Sequence, residues 1–249
     1  MLLKINAFER REKMGRYENK YFSVLGDSLS TLEGYSVPKY AAFYDTARKL
    51  EAEVYIPSDT WWGKVIRHFD GRLLVNNSFS GSTVCWSPGY EIQSYGCSEE
   101  RTSSLGKDGI LPDVIMVLMG TNDWGKGTKP MPDGGDSEDL SVFLVAYSKM
   151  LEKLKNNYPQ AEIWCFTLPV SKCTKDPEFV FPYCYKGIHI EKYCEVIRKC
   201  ANEKKCRIVD FYAASEPYDT IDRFHPNAQG MKTLAKAAID QLEERGNEK

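Results

Sequence analysis

Short apolar runs alternate along the chain with longer segments in which apolar residues recur every three or four positions. The runs are typical of strands buried inside a sheet, and the longer segments are typical of helices with one buried face. The predicted strands cover residues 22–25, 72–76, 112–119, 161–168 and 207–211, and the predicted helices cover residues 41–52, 61–69, 98–104, 140–157, 190–204 and 226–244. This alternation predicts an α/β domain with five parallel strands and helices on both faces of the sheet.

Turn and capping residues set several of the predicted boundaries. Asp27 and Ser28 follow the first strand, and both residue types favour a tight turn or the start of a helix. Asp59 is the predicted N-cap of the second helix, and Pro226 is the predicted first residue of the terminal helix. The Gly- and Pro-rich residues 125–137 predict an exposed, mobile loop.

Polar residues or glycine follow four of the five predicted strands. Ser28 follows the first strand, Gly81 the second and Asn122 the third, while Asp222 and His225 follow the fifth. In a parallel sheet the carboxyl ends of the strands meet at one edge, and ligands bind there. We therefore expect these residues to lie close together.

These residue types can together carry out acyl transfer. Ser28 would be the nucleophile, activated by His225 as general base, and Asp222 would orient the imidazole and stabilise its cation. The backbone N–H groups of Ser28 and Gly81, with the side-chain amide of Asn122, would bind the developing oxyanion. Gly81 suits this task because a glycine lets the substrate approach its amide closely.

Each candidate also has an ordinary structural interpretation. Gly-Asp-Ser is a common turn, Asn122 could cap a turn, and His225 taken alone could be structural. Asp219 is an alternative to Asp222 as the partner of the imidazole.

Three neighbours of the candidates have predicted roles of their own. Asp27 and Asp123 are predicted to stabilise their turns rather than to react. Core packing is the default expectation for Trp124, which is also a candidate substrate-binding residue that would stack on a sugar or narrow the acyl pocket.

Four motifs, in this order, resemble those of the SGNH subgroup of GDSL hydrolases. They are Gly26–Leu29, Gly81, Gly120–Asp123 and Asp222-x-x-His225-Pro226, and the resemblance covers residues 21–239. It implies the SGNH hydrolase fold, a flavodoxin-like three-layer α/β/α sandwich, and an esterase or lipase-type activity without a metal or other cofactor. It also implies the catalytic and oxyanion roles given above. At the second motif the alignment leaves Ser80 and Ser82 as alternatives to Gly81.

The predicted function is that of a serine esterase acting on a small carboxylic ester, with an O-acetyl group on a carbohydrate as the favoured substrate. Aromatic residues are abundant in the loops after the first and fourth strands, and no long apolar segment suggests a lipid-binding lid. A lipase or thioesterase acting on longer acyl chains is the alternative within the resemblance.

Two further alternatives come from other functional classes. A metal-dependent phosphoesterase would use ligands from the set Asp27, Asn122, Asp123, Asp222 and His225, but a dinuclear site usually needs more than one histidine. A non-catalytic carbohydrate-binding module is the other alternative, and it leaves the presence of every catalytic group unexplained.

The length and charge of the chain limit the number of domains and the classes of partner that the sequence predicts. The chain has 249 residues, which suits one domain, and its formal net charge is -2 with acidic and basic residues mixed. This balance indicates neither nucleic acid nor an anionic membrane as the main partner. Residues 1–17 are predicted to be a flexible extension, with Met14 as a second possible start, and residues 18–249 are predicted to be a single SGNH hydrolase domain.

The N-terminal residues and the cysteine spacing predict the cellular location of the protein and the state of its thiols. No run reaches the length of about 18 apolar residues that a membrane helix needs, and the first residues are charged, so we predict a cytoplasmic protein without membrane insertion. The eight cysteines contain no C-x-x-C pair and are predicted to be buried free thiols. Zinc is not predicted, because closely spaced ligand pairs are missing and the chain has only three histidines.

Overall fold

Five parallel strands lie side by side at the centre of the protein. The computed structural model describes residues 15–134, 137–214 and 216–244. The strands are β1 (Tyr21–Gly26), β2 (Arg72–Ser78), β3 (Val114–Leu118), β4 (Glu162–Phe166) and β5 (Arg207–Val209), and their order across the sheet is β2-β1-β3-β4-β5. Every neighbouring pair is parallel. The predicted five-stranded parallel sheet is therefore confirmed.

The two faces of the sheet bury alternate residues of the same strands. In β3, Val114, Met116 and Leu118 pack on one face, whereas Ile115 and Val117 pack on the other. Successive side chains of a strand point to opposite faces, so a strand that is covered on both faces must be apolar throughout. All of β3 is buried, which explains its unbroken apolar run.

Helices cover both faces of this sheet. They are α1 (Thr46–Ala52), α2 (Trp61–His68), α3 (Glu99–Ser103), α4 (Thr121–Lys126), α5 (Phe143–Asn157), α6 (Glu191–Glu203), α7 (Phe211–Ala214) and α8 (Ala228–Glu244). The apolar sides of α2 and α8 pack on one face, and those of α5 and α6 pack on the other. The predicted three-layer α/β/α sandwich is confirmed.

Shorter elements lie in the connections. Three 3-10 turns cover Ser28–Ser30, Pro57–Asp59 and Ile92–Ser94. Two-residue strands pair Ser171–Lys172 with Tyr218–Asp219 and Cys184–Tyr185 with Ile188–His189.

The predicted N-cap of α2 is wrong by one residue. Thr60 caps this helix, because its Oγ1 accepts a hydrogen bond from the Gly63 N–H at 3.0 Å. Asp59 instead ends the preceding 3-10 turn, where its carboxylate accepts hydrogen bonds from the N–H groups of Tyr55 and Ile56. Either residue type can cap a helix, and the 3-10 turn decides between them.

Pro226 is not the first residue of the terminal helix, contrary to the prediction. Helix α8 begins at Ala228, and Asn227 Oδ1 accepts a hydrogen bond from the Gly230 N–H at 2.9 Å, as an N-cap side chain does. The Pro226 carbonyl accepts a hydrogen bond from the buried Tyr44 hydroxyl at 2.6 Å. This bond fixes the turn that precedes the helix.

Two other helices differ from the predicted elements. Helix α1 begins only at Thr46, since Asp45 accepts a hydrogen bond from the Arg48 N–H at 3.0 Å and caps it, so residues 41–44 are not helical. Helix α4 occupies the beginning of the predicted loop at residues 125–137 and carries Asn122. Residues 135 and 136 of that loop lie outside the described residues.

Arg16 and Tyr17 pack against the sheet, although they fall within the predicted flexible extension. The Tyr17 side chain is buried, and its hydroxyl donates a hydrogen bond to Glu162 at 2.9 Å. Arg16 forms an ion pair with the same carboxylate at 3.1 Å. The extension up to residue 14 lies outside the described residues.

Among the described residues, no helix combines the length and apolar character that crossing a membrane requires. All eight cysteines lie in the described ranges; six are buried, Cys206 is partly buried and Cys184 is exposed, so the predicted burial does not extend to every thiol.

Candidate active site

The turn after β1 presents Ser28 at the carboxyl edge of the sheet. A Cβ atom at Gly26 would lie 2.7 Å from Ser30 Cβ and 2.8 Å from Ser78 Oγ, so only glycine lets the chain turn this close to its neighbours. Asp27 Oδ1 then accepts a hydrogen bond from the Leu29 N–H at 3.0 Å and caps the 3-10 turn that begins at Ser28. The predicted turn-stabilising role of Asp27 is confirmed.

Ser28, His225 and Asp222 form one chain of hydrogen bonds. Ser28 Oγ lies 3.0 Å from His225 Nε2, and His225 Nδ1 lies 2.8 Å from Asp222 Oδ2. A carboxylate can only accept, so Nδ1 carries the ring proton and Nε2 is left to accept the proton of the Ser28 hydroxyl. The structure therefore brings these three predicted residues together in the order that proton transfer needs.

Asp222 is held by the turn that also carries His225. Its Oδ1 accepts hydrogen bonds from the backbone N–H groups of Phe224 at 3.1 Å and His225 at 2.8 Å. Partial burial raises the pKa of the Asp222 carboxyl, but the hydrogen bonds and the charge of His225 more than offset this effect and bring the pKa to about 2. The carboxylate is thus ionised near neutral pH and can orient the imidazole.

Asp219 does not compete with Asp222 for the imidazole. Its Oδ1 accepts hydrogen bonds from the backbone N–H and the hydroxyl of Thr174, and its Oδ2 accepts one from Asn227 Nδ2. Asp219 therefore ties the loop after β4 to the N-terminus of α8.

Gly81 provides a free backbone donor in the loop after β2. The Ser80 N–H donates to the Ala41 carbonyl at 2.8 Å, and the Ser82 N–H donates to the Phe79 carbonyl at 3.2 Å. The Gly81 N–H has no acceptor among the described residues, and its φ of +82° lies in the left-handed region that favours glycine. Of the three alignments left open by the sequence, only Gly81 leaves its amide available.

Asn122 and Ser28 supply further donors beside this loop. One hydrogen of Asn122 Nδ2 is donated at 2.9 Å to the carbonyl of Ser82, the residue after Gly81, and the second hydrogen has no acceptor among the described residues. The Ser28 N–H also has no acceptor within the described part of the chain. The Phe79 N–H donates to the Gly26 carbonyl at 3.1 Å and thereby holds the loop beside the Ser28 turn. All five predicted candidates are brought to one edge.

Asp123 stabilises the loop after β2 from beneath. Its fully buried carboxylate accepts hydrogen bonds from the N–H groups of Val84 at 2.8 Å and Cys85 at 3.0 Å. Burial raises the pKa of Asp123 to about 6 despite these bonds, and burial raises the pKa of Asp27 to about 7. Asp123 therefore braces the neighbouring loop after β2, not its own turn as the sequence predicted.

Trp124 does not fit the predicted contact with substrate. Its side chain is only 2% exposed and belongs to the core between the sheet, α5 and α6. The ring stacks on Phe181 at a centroid separation of 5.4 Å and meets the edge of Tyr185. Because α4 turns this side chain inward, Trp124 supports the loop after β4 from below.

Arg101 is a buried residue of the site region that the sequence did not reveal. Its guanidinium donates to Asn77 Oδ1 at 2.6 Å, to the carbonyls of Asn77 and Gly26 at 2.9 Å each, and to the Gln93 carbonyl at 2.9 Å. No carboxylate of the described residues lies within ion-pair distance of it. Burial lowers the pKa of Arg101 to about 10. A charged residue in a polar segment normally indicates an exposed position, so no sequence signal could have found this clamp.

The residues do not gather into a metal centre. Within the described residues, no group of three or more His, Cys, Asp or Glu side chains is placed to hold a metal ion. Asp27 and Asp123, two of the ligands that a phosphoesterase would need, are buried and bound to backbone N–H groups. Their positions weaken the phosphoesterase alternative.

A hydroxyl, an imidazole and a carboxylate joined in this order are the arrangement of serine hydrolases. The model of the GDSL-like lipase/acylhydrolase family matches residues 20–172, which is more than half of the chain. The chain belongs to this family, and it is a hydrolase that acts on ester bonds. No curated protein matches the chain.

Several solved structures share the fold. A protein from Bacteroides ovatus described as a GDSL-like lipase is 28% identical, with a TM-score of 0.67, and the match covers 92% of this chain and 99% of that one. The aryl esterase of M. smegmatis is 16% identical, with a TM-score of 0.59 and coverage of 90% and 99%. A family two carbohydrate esterase from Cellvibrio japonicus is 15% identical, with a TM-score of 0.58 and coverage of 92% and 62%. The last two show likeness of fold alone.

The low pKa of Asp222 predicts a stability difference that depends on pH. The folded-state pKa of about 2 lies below the ordinary value of 3.8, so between these values the unfolded chain binds more protons and acid destabilises the fold. The Asp222→Asn variant lacks this titration. We expect the difference in unfolding free energy between the native protein and the variant to be largest above pH 4 and to decrease as the pH falls from about 4 towards 2. Urea unfolding at several pH values measures it, and a difference that does not change with pH would contradict the prediction.

Proposed function

We propose that the protein is a serine esterase that uses Ser28 as nucleophile, His225 as general base and Asp222 as orienting carboxylate. The observation that carries this proposal is the unbroken hydrogen-bond chain from Ser28 Oγ through the imidazole to Asp222, with separations of 3.0 and 2.8 Å. Ser28 lies in the turn after β1, at the carboxyl edge of the sheet, where parallel α/β sheets bind their ligands.

The first half of the reaction forms an acyl-enzyme. Ser28 Oγ attacks the ester carbonyl carbon while its proton passes to His225 Nε2, and the carbonyl π electrons move to the oxygen. Asp222 stabilises the imidazolium that forms. When the tetrahedral intermediate collapses, the bond to the alcohol oxygen breaks, and that oxygen takes the proton from Nε2.

The second half regenerates the free serine. A water molecule gives a proton to Nε2 as it attacks the acyl carbon, and the new tetrahedral intermediate expels Ser28 Oγ, which recovers the proton. The products are one carboxylic acid and one alcohol. No step draws on a metal or an organic cofactor.

The oxyanion of both intermediates would be bound by the free donors of the site. These are the N–H groups of Ser28 and Gly81 and the second amide hydrogen of Asn122. The bond from Asn122 to the Ser82 carbonyl fixes the amide plane before the substrate arrives, and such preorganised donors stabilise charge as it develops.

For the substrate we propose a small acyl group, with an O-acetyl ester of a carbohydrate as the favoured case. Exposed aromatic rings occur in the loops at this edge, including Trp86 in the loop after β2 and Tyr183 and Tyr185 in the loop after β4. Aromatic faces suit the apolar faces of sugar rings. The fold is shared with structures described as carbohydrate esterases, and also with one described as an aryl esterase. Longer-chain lipase or thioesterase activity is the competing substrate class.

Replacing the nucleophile should abolish turnover without unfolding the protein. We expect Ser28→Ala to remove nearly all hydrolysis of p-nitrophenyl acetate and to stay within about 1 kcal/mol of the native unfolding free energy, since one small hydroxyl contributes little to folding. A fluorophosphonate probe should label the native protein at Ser28 and leave the variant unlabelled. The control is Ser148→Ala on α5, which should keep both activity and labelling. Turnover retained by Ser28→Ala would refute the role of Ser28, whereas a native protein that neither hydrolyses the ester nor reacts with the probe would favour a binding module.

Removing the side-chain oxyanion donor should slow the chemical step. We expect Asn122→Ala to lower kcat by roughly 100-fold or more, because one such donor is worth about 100- to 1,000-fold. Asn157→Ala is a matched control, since Asn157 Nδ2 likewise donates to a backbone carbonyl, that of Thr102, but at the end of α5. Steady-state kinetics would compare the two, and a loss of only a few-fold in Asn122→Ala would mean that its amide does not face the oxyanion.

A series of substrates tests the acyl preference. We expect kcat/KM to be highest for p-nitrophenyl acetate and to fall steadily for the butyrate, octanoate and palmitate esters. Acetylated sugars incubated with the same preparation should release acetate, and a coupled assay would measure the acid. An optimum at octanoate or beyond would overturn the small-acyl proposal in favour of a lipase or thioesterase.

A further inference from the structure

One short segment contacts the turn of Ser28, the loop of Gly81 and the turn of His225. We call residues 41–44, which precede α1, the bridging segment. At its start, the Ala41 carbonyl accepts a hydrogen bond from the Ser80 N–H at 2.8 Å, next to Gly81. At its end, the buried Tyr44 hydroxyl donates to the Pro226 carbonyl at 2.6 Å, next to His225. The bridging segment thus joins the loop after β2 to the turn that carries the imidazole.

Phe43 within this segment is tied to the backbone of the nucleophile. The Phe43 N–H donates to Thr31 Oγ1 at 2.9 Å, and the Thr31 hydroxyl donates to the Ser28 carbonyl at 3.0 Å. Thr31 and the Ser28 carbonyl are buried, so water competes little for these bonds. The position of Phe43 is therefore fixed relative to Ser28.

The Phe43 ring lies flat against the imidazole of His225. The two ring centroids are 3.4 Å apart and the planes differ by 10°. Four residues are thereby linked in a closed loop of contacts. Hydrogen bonds join Ser28 to Thr31 and Thr31 to Phe43, the Phe43 ring stacks on His225, and a hydrogen bond joins His225 Nε2 to Ser28 Oγ.

We propose that Phe43 is a positioning residue that holds the His225 ring in plane through the reaction. The proposal rests on the proposed function of Ser28 and His225. Before the reaction, the hydrogen bond between Ser28 Oγ and His225 Nε2 helps to align the imidazole. This bond is lost once the serine proton has moved to Nε2 and Oγ is acylated. Asp222 then restrains the imidazole only at Nδ1, and rotation about the Cβ–Cγ bond of histidine is soft. The flat contact with Phe43 opposes that rotation.

The aromatic face has a second effect on the same ring. The imidazole carries a positive charge when it holds the proton of Ser28, and the face of a phenyl ring attracts a cation lying over it. An aliphatic side chain of similar size would cover the imidazole without this attraction. Phe43 should therefore act on the steps in which His225 is protonated, rather than on substrate binding.

The test compares the kinetics of Phe43→Leu, Phe43→Tyr and the native protein with p-nitrophenyl acetate. We expect Phe43→Leu to lower kcat by about 10- to 100-fold with KM changed less than about twofold, because misalignment of a general base affects the chemical step. Phe43→Tyr keeps the aromatic face and should recover most of kcat. Leu73→Ala on β2, a partly buried apolar residue outside the site, controls for lost stability and should keep kcat per folded molecule.

A second variant probes the tether without touching the ring. Thr31→Val keeps the shape of the side chain and removes both hydrogen bonds. We expect it to lower kcat in the same direction, and the double variant Thr31→Val/Phe43→Leu to lose no more than Phe43→Leu alone, since both act through one ring. This variant also tests the inference if Phe43→Leu does not fold.

The outcomes separate this inference from the proposed function. If the native protein is not labelled by a fluorophosphonate at Ser28, the proposed function fails. If Ser28 is labelled but Phe43→Leu keeps kcat within about twofold of the native value, only the role of Phe43 is overturned. A loss in Phe43→Tyr equal to that in Phe43→Leu, or strictly additive losses in the double variant, would also overturn it.

Discussion

The candidate active site depends on β1 ending between β2 and β3. Because the three strands are parallel, their carboxyl ends bring Ser28, the loop of Gly81 and Asn122 to the same edge. Two hydrogen bonds continue these contacts beyond the strands, from the Phe79 N–H to the Gly26 carbonyl and from Asn122 Nδ2 to the Ser82 carbonyl. Backbone pairing in the sheet thus sets the distance between Ser28 and the amide groups of Gly81 and Asn122.

Buried polar groups support this edge from below. Arg101 ties the ends of β1 and β2 through neutral acceptors, while the carboxylates of Asp27 and Asp123 hold the two loops by their backbone N–H groups. A buried polar group is costly unless its hydrogen bonds are made, so the bonds of Arg101 and Asp123 stabilise one arrangement of the loops and disfavour others. Phe43 contributes the corresponding restraint on His225 from the other side. Together they describe a site whose alignment is largely set before an ester binds.

Features that leave a pattern in the local sequence were predicted correctly, whereas features that depend on packing between distant segments were not. The strand β3 was predictable because burial on two faces requires a continuous apolar run. Helix α4 was not, because Gly120–Trp124 contains the small and polar residues that are typical of a turn. The substrate contact considered for Trp124 is ruled out, since the orientation of the helix turns this side chain into the core, the default expectation for a tryptophan. Thr60 and Asp59 differ too little in capping preference for the sequence to choose between them.

The parallel sheet, the chemical groups at its edge and the resemblance to SGNH hydrolases could all be predicted from the residues alone. They could be predicted because apolar periodicity and short motifs are local properties of the chain. The packed fold was needed to show that Gly81, rather than Ser80 or Ser82, has a free amide, and that Asp222, rather than Asp219, meets the imidazole. Only the fold placed Arg101 beneath the site and Phe43 against His225. Each of these outcomes depends on which hydrogen-bonding groups and ring faces are brought together when distant segments pack. No local stretch of residues contains that information.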